Sequence, residues 1–372
     1  MRIGIDARFY NKQTRGISRV IREFLTHLIN MDKKNTYVVF LLQGDVKNFE
    51  HKAKNIEIFV SRSKYYSLEE HFIFPKEIKQ AKVQFMHFLN FNAPYNCPVP
   101  YIVTIHDLTL FFYPGRKKKS IIHKLVYKTV MGRAVRKAKF VHAITNHTKQ
   151  DIMQIFHIPK DKIKVIYEGV NDNFRPIKSQ KLIQKVLDKY AVKKPYFIYH
   201  GAWRKHKNIV NLIKAFDKFS ILNKSQNFKL VIAGKIDLEY PEIPEVVKDL
   251  NIEDRVIFLD KFISDKELAS LFSACTSYVF PSLYEGFGLT PLEAMSCGAP
   301  VLSSDASCMP EVLGEAAYYF DPNNIEDITT AMNRIATNSR LQNDFSLRSL
   351  KQIKHYSWQS MTSGILELYK LV

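Results

Sequence analysis

Val279-Phe-Pro-Ser-Leu-Tyr-Glu285-Gly-Phe-Gly288-Leu-Thr290-Pro-Leu-Glu293-Ala-Met-Ser-Cys-Gly298-Ala-Pro-Val-Leu-Ser-Ser304 runs from an apolar strand through a Gly-x-Gly loop into a helix and on to a second strand. Only thirteen glycines occur in the chain, so the clustering of Gly286, Gly288 and Gly298 here carries weight. Pro281 ends the strand; Thr290 and Pro291 read as the N-cap and first residue of the helix, and Gly298 as its stop. Lacking Cβ atoms, Gly286 and Gly288 let the main chain come close to a ligand. The helix N-terminus adds free N–H groups and partial positive charge suited to a phosphate or diphosphate. No Lys or Arg lies between Lys266 and Arg334, so an anion here must be held by amides and by residues from elsewhere. Two carboxylates frame the loop. Glu285, at the strand end, suits sugar hydroxyls, with a solvated loop acid as the alternative. Glu293 suits ribose hydroxyls, but Thr290-Pro-Leu-Glu293 also satisfies a capping box, in which the Glu side chain bonds back to the N-cap amide.

The same strand-to-helix alternation extends outward to both termini, the pattern of α/β layers with mainly parallel strands. Strands are expected at Arg2–Asp6, Tyr37–Leu42, Val83–Phe88, Tyr101–His106 and Phe140–Ile144. Helices are expected at Ile17–Ile29, near Leu68–Gln80, at Ser120–Lys137 and from Thr148. A second series of strands begins after Arg175-Pro176, at Tyr196–His200, Lys229–Ala233, Val256–Leu259, Ser277–Phe280 and Val301–Ser303. Two doubly wound Rossmann-like domains follow from this, spanning 1–175 and 176–355, with ligand sites at the carboxyl ends of their strands and the chemistry in a cleft between them. A closing helix at 356–372 spaces Trp358, Met361, Ile365, Leu366 and Tyr369 for one buried face, which would pack back on the first domain.

Length and composition agree. At 372 residues the chain is long enough for two compact domains, and 46% apolar with 24% charged residues excludes a disordered or collagenous protein. Cys97, Cys275, Cys297 and Cys308 follow no zinc or disulfide spacing, so reduced, packed thiols are expected. The opening Met-Arg-Ile-Gly-Ile-Asp-Ala-Arg is too short an apolar patch for a signal peptide, and no run of about 18 apolar residues occurs; a cytoplasmic protein is the expectation. The net charge of +19 is unevenly placed: residues 1–175 carry 31 basic and 14 acidic groups. Between Asp107 and Asp151 there are eleven Lys or Arg, including Arg116 to Lys119, and no acid. Such a field suits nucleic acid, an anionic membrane surface or a phosphorylated substrate, with plain solubility as the alternative.

Pro281-Ser-x-x-Glu-Gly-Phe-Gly-Leu-x-Pro-x-Glu-Ala-Met, with Glu285 and Glu293 eight apart, resembles the Glu-x7-Glu signature of the family 4 retaining glycosyltransferases, the group 1 enzymes of the GT-B fold. The resemblance continues in Gly4-Ile5-Asp6-Ala7-Arg8, Arg15-Gly16-Ile17, Val103-Thr-Ile-His106-Asp107, Val165-Ile-Tyr-Glu-Gly169, Gly201-Ala-Trp-Arg204-Lys-His-Lys207 and Tyr356-Ser-Trp358. It implies a hexosyltransferase that takes a sugar from a nucleotide diphosphate donor, a GDP- or UDP-sugar, to a glycan or lipid-linked acceptor. Glu285 and His106 would lie beside the transferred sugar, with Asp107 next to His106. Glu293 would hold the ribose. Phe287, Gly288, Leu289 and Thr290 would lend backbone contacts, and Arg204 and Lys207 would meet the diphosphate, whose charge grows in the transition state. Gly16 would let backbone approach the sugar or phosphate, with a plain helix-start glycine as the equal alternative; for His106 and Asp107 the alternative is a satisfied interior histidine and a helix-capping acid. The stretch His87-Phe-Leu-Asn-Phe-Asn92-Ala-Pro94 is similar to mannosyltransferase-like members that build surface polysaccharides, which favours GDP-mannose. No Asp-x-Asp segment occurs unless Asn171-Asp172-Asn173 of the linker is counted, so metal independence is expected, with no cofactor beyond the co-substrate. A nucleotide-sugar epimerase or hydrolase on the same fold would lack the full Glu-x7-Glu loop. A nucleic-acid-binding protein would leave residues 281–298 unexplained.

Overall fold

The computed structural model describes residues 1–11, 16–115 and 121–372. Arg15 of the opening motif and the basic run Arg116 to Lys119 lie outside the described residues.

The chain divides into two units. One comprises Met1–Pro114, Lys118–Gly169 and Ser357–Val372, the other Val170–Tyr356 with a short piece near residue 115. In the first unit seven parallel strands, β1 (Arg2–Asp6), β2 (Thr36–Leu42), β3 (Ile56–Ser61), β4 (Phe85–Phe88), β5 (Tyr101–Ile105), β6 (Phe140–Ala143) and β7 (Ile163–Val165), stand in the order β3-β2-β1-β4-β5-β6-β7. In the second, β8 (Tyr196–His200), β9 (Lys229–Ala233), β10 (Val256–Leu259), β11 (Ser277–Phe280), β12 (Val301–Ser304) and β13 (Ala317–Phe320) stand in the order β10-β9-β8-β11-β12-β13. Both sheets are doubly wound. The winding reverses between β1 and β4 and between β8 and β11, and at such a point the outgoing loops diverge and leave a crevice at the carboxyl ends of the strands.

Central strands such as β5 and β11 are buried at every residue, which is why their sequences read as continuous apolar runs. The strands that the sequence pattern does not reveal, β3, β7 and β13, are all sheet edges. β3 alternates Ile56-Glu57-Ile58 and leaves half its side chains in water, so its composition falls between strand and loop.

The helix Trp358–Tyr369 packs on the helix Ile17–Met31 of the first unit, burying Trp358, Met361, Ile365, Leu368 and Tyr369. Leu368 takes the buried place that periodicity assigns to Leu366, which is only half-buried. Gly169 lies under this helix: a Cβ there would come within 2.2 Å of the Trp358 backbone nitrogen. A directional hydrogen-bond chain ties the helix to the sheet. His142 Nε2 meets the Ile166 carbonyl at 2.9 Å, and a carbonyl only accepts, so that nitrogen carries the proton. In the neutral ring His142 Nδ1 therefore accepts from Thr104 Oγ1 at 3.0 Å. Thr104 in turn accepts from His87 Nε2 at 2.9 Å, and His87 Nδ1 accepts from the Tyr369 hydroxyl at 2.7 Å. Burial lowers the pKa of both histidines, to about 4 for His142, which keeps the chain uncharged.

Candidate functional site

The loops after β8 and β11 leave neighbouring strands at the reversal point of the second sheet, and this brings Lys207 onto Glu285. Lys207 Nζ donates to Glu285 Oε1 at 2.5 Å, and both side chains are largely covered, 17% and 13% exposed. Backbone bonds hold the two loops in place. Leu283 N–H donates to the His206 carbonyl at 2.7 Å, and Glu285 N–H donates to Ser307 Oγ at 3.1 Å while that hydroxyl donates back to the Glu285 carbonyl at 2.7 Å. Arg204 goes elsewhere: it pairs with Asp237, stacks at 5.7 Å over Tyr240 and stays 45% exposed. The structure therefore separates the two cations that the sequence places side by side.

The helix after the glycine loop spans Leu289–Ser296, with Gly288 as its N-cap and no side-chain cap. This corrects the expectation of a Thr290 N-cap. Gly288 has φ 86°, and its Cβ position lies 2.7 Å from Met309 Cε, so glycine turns the chain into the helix where another residue would be both strained and crowded. Starting two residues earlier moves Glu293 from the third helical position to the fifth. It is out of reach of the N-cap amide, and the capping box is not formed. Thr290 instead turns to Tyr278, whose hydroxyl donates to the His200 carbonyl at 3.2 Å. Burial raises the Tyr278 pKa, and the charges of Glu293 and Glu285 nearby add to the effect, so Tyr278 is a neutral floor shared by the two carboxylates. Glu293 is 3% exposed. Phe287 faces inward against Tyr356, with ring centroids 5.5 Å apart, so only its backbone is left to meet a ligand. Leu289 and Thr290 are half-buried at the helix mouth. Their amide groups belong to the first turn, which has no intrahelical acceptors.

In the first unit His106 and Asp107 follow β5 directly. His106 Nδ1 lies 2.9 Å from Glu168 Oε1 and Nε2 lies 2.8 Å from the Leu89 carbonyl. Two acceptors on one ring demand two N–H donors, so the geometry fits an imidazolium facing a carboxylate. Burial pulls the His106 pKa down, but the hydrogen bond and charge of Glu168, with the Leu89 carbonyl and Asp107, outweigh it and raise the pKa above the usual value. Asp107 Oδ1 accepts from Thr109 N–H at 2.7 Å at the start of a single helical turn. Gly16 has φ 72° at the N-cap of the helix Ile17–Met31, with open space where a Cβ would be.

Sequence reasoning passes over Glu168, Asp237, Tyr278 and Ser307. Glu168 lies inside the quoted Val165–Gly169 motif, where its burial beside a histidine has no one-dimensional signal. The four cysteines are free thiols. Among the described residues no group of three or more His, Cys, Asp and Glu side chains is arranged to hold a metal ion, and no helix is long and apolar enough to cross a membrane.

Comparison with known proteins accounts for nearly the whole chain. Residues 181–352 match the family described as glycosyl transferases group 1, and residues 14–174 match glycosyltransferase family 4. O-antigen chain mannosyltransferase B of Escherichia coli is 27% identical over 296 residues, covering 79% of this chain and 76% of that protein. O-antigen chain mannosyltransferase RfbU of Salmonella typhimurium is 32% identical over 63% of this chain and 60% of its own length. The serotype-specific mannosyltransferase WbdA of Escherichia coli is 30% identical over 73% of this chain, which spans only 33% of that longer protein. Among solved structures, Anabaena Alr3699/HepE in complex with UDP and glucose aligns over 100% of both chains with TM-score 0.78 at 16% identity. Sucrose-phosphate synthase from Thermosynechococcus elongatus aligns over 100% of this chain and 98% of its own with TM-score 0.77 at 18% identity. These last two likenesses are of fold: the GT-B arrangement of two Rossmann-like sheets.

Proposed function

Because the chain belongs to the group 1, family 4 glycosyltransferases, we propose that it transfers mannose, with retention, from GDP-mannose to a glycan or lipid-linked acceptor in surface polysaccharide synthesis. The observation that carries the reading is the Lys207–Glu285 pair at the sheet reversal, one loop away from the Gly288-capped helix mouth. The ammonium has three N–H donors and gives one to Glu285, so it can also meet a phosphate oxygen. The first-turn amides of Leu289 and Thr290, with the partial positive charge of the helix end, offer further donors to the diphosphate.

In the proposed mechanism Lys207 and these amides stabilise the leaving nucleoside diphosphate, on which negative charge accumulates as the glycosidic bond breaks. Glu285 orients Lys207 and accepts from hydroxyls of the transferred sugar. Glu293 accepts from the ribose hydroxyls. The acceptor oxygen bonds to the anomeric carbon on the face from which the diphosphate leaves, and its proton passes to a phosphate oxygen of that leaving group, so the protein supplies no nucleophile. His106, whose two N–H groups are given to Glu168 and the Leu89 carbonyl, contributes a fixed charge and not a base. The names of the O-antigen relatives support mannose and a glycan acceptor. The excess positive charge of residues 1–175 supports a cytoplasmic enzyme working against an anionic membrane surface.

Thermal shift against GDP, UDP, GDP-mannose and UDP-glucose tests the donor, since a ligand at 100 times its Kd stabilises by about 2.7 kcal/mol. Stabilisation by GDP compounds alone is the expected result. Product analysis with donor alone and with added acceptor then separates transfer from hydrolysis or epimerisation.

A further inference from the structure

The turn that follows β12 contains a residue in a costly conformation. Ser307 has φ 60°, a region that a residue with a Cβ enters at an energetic cost and that glycine enters freely. The Met309 N–H bonds to the Ala306 carbonyl at 3.3 Å, and Cys308 has φ −81° and ψ 0°. Those values describe a type II′ turn with Ser307 at its second position, where glycine is the usual occupant. Strain of this kind persists only where the surroundings hold it, so a serine here calls for an interaction that glycine could not make.

Its hydroxyl makes that interaction with Glu285. Glu285 lies in a loop outside any helix or strand, and among the described residues no backbone group bonds to its N–H or its carbonyl. Ser307 Oγ serves both, accepting from the N–H at 3.1 Å and donating to the carbonyl at 2.7 Å. The buried Cys308 thiol adds a second donor to the same carbonyl at 3.2 Å. A residue has two soft backbone torsions, so holding its N–H and its carbonyl together fixes both, and with them the direction of the Cα–Cβ bond. The carboxylate aimed in this way reaches Lys207 Nζ at 2.5 Å. The loop has other anchors: Ser304 Oγ donates to the Ser282 carbonyl at 2.6 Å, and the Leu283 N–H to the His206 carbonyl at 2.7 Å. What Ser307 adds is therefore specific to Glu285.

We propose that Ser307 is a positioning residue for sugar transfer, held in a glycine-like conformation because its hydroxyl sets the backbone of Glu285 and so the place of its carboxylate. The proposal rests on the role given above to the Lys207–Glu285 pair and extends it to a residue that acts through Glu285. A misplacement of about 1 Å near the reacting centre can cost roughly a hundredfold in rate. Binding of the nucleotide alone does not depend on a group that meets the transferred sugar, so the loss should fall on kcat.

Ser307→Gly and Ser307→Ala, made in the full-length protein, separate this role from that of a plain turn residue: both lose the hydroxyl and only glycine relieves the strain. The glycine variant should melt about two degrees or more above the alanine variant. Both should nevertheless lose roughly tenfold or more in kcat at saturating GDP-mannose, with the Kd for GDP within about threefold of wild type. Hydrogen exchange read by mass spectrometry over residues 281–288 should gain one fast amide in each variant, that of Glu285. The proposal is overturned if the glycine variant turns over as fast as wild type, if kcat simply follows melting temperature across the three proteins, or if exchange over 281–288 is unchanged. It is equally overturned if the glycine variant melts no higher than the alanine variant, since no strain would then be stored at residue 307. A wild type that turns over neither GDP-mannose nor UDP-glucose would count against the proposed function, while melting and exchange would still decide whether Ser307 holds Glu285 under strain.

Discussion

Lys207 and Glu285, 78 residues apart in the chain, meet at 2.5 Å because their loops leave two strands that pair in the sheet, β8 and β11. The pair is mostly shielded from water, so its charges act on each other with less screening than surface ions would. In an exposed pair such as Arg204–Asp237 solvent removes most of that effect.

Lys207→Ala should lower kcat/KM for the donor by roughly a hundredfold, the size expected when a transition-state donor is removed. Arg204→Ala should change it by less than about threefold. Steady-state kinetics with the donor varied checks both, and equal losses in the two variants would remove the distinction.

Glu293→Gln probes a carboxylate that the helix start at Leu289 has freed from capping. The amide is nearly isosteric, so the melting temperature should stay within about two degrees, because the helix end does not depend on this side chain. Nucleotide affinity should fall tenfold to a hundredfold, matching the roughly 1.5–3 kcal/mol of a hydrogen bond to a charged group. A large loss of stability with unchanged nucleotide Kd would assign Glu293 to the core.

Glu168→Gln should lower the pKa of His106, read by NMR titration of its ring protons. In the wild type the folded pKa is raised, so this contact stabilises fully below the unfolded value of about 6.5 and is lost as pH rises through the folded pKa. The stability gap between wild type and Glu168→Gln should therefore be wider at pH 6 than at pH 9. A gap independent of pH would mean that the two side chains are not charge-coupled.

Tyr369→Phe removes the donor at the head of the Tyr369–His87–Thr104–His142 chain and leaves His87 Nδ1 buried without one. The cost should be about 1–3 kcal/mol in urea unfolding. A variant as stable as wild type would show that the closing helix is held by apolar packing alone.

The sequence by itself determined the α/β class, the two strand series, the glycine loop at 286–288 and its two carboxylates, because these depend on local periodicity and on residues with special backbone freedom. Ten strands were legible from apolar runs, including the edge strand β10 with its unbroken Val256-Ile-Phe-Leu259, whereas the edge strands β3, β7 and β13 were not, since an edge strand buries less and its composition can drift toward that of a loop. Tertiary structure decided the rest. Thr290-Pro291 is a sound local start signal, yet packing of the Gly288 turn against Met309 sets the helix start at Leu289 and takes Glu293 off the cap. Lys207 and Arg204 stand three residues apart, and the pairing of β8 with β11 gives the first a shielded carboxylate and leaves the second in water. Glu168 on His106 and Tyr369 on His87 join residues 62 and 282 positions apart. The physical reason is common to these cases: charge and hydrogen-bond chemistry depends on distance and dielectric in space, and a chain pattern specifies only which face of an element is apolar.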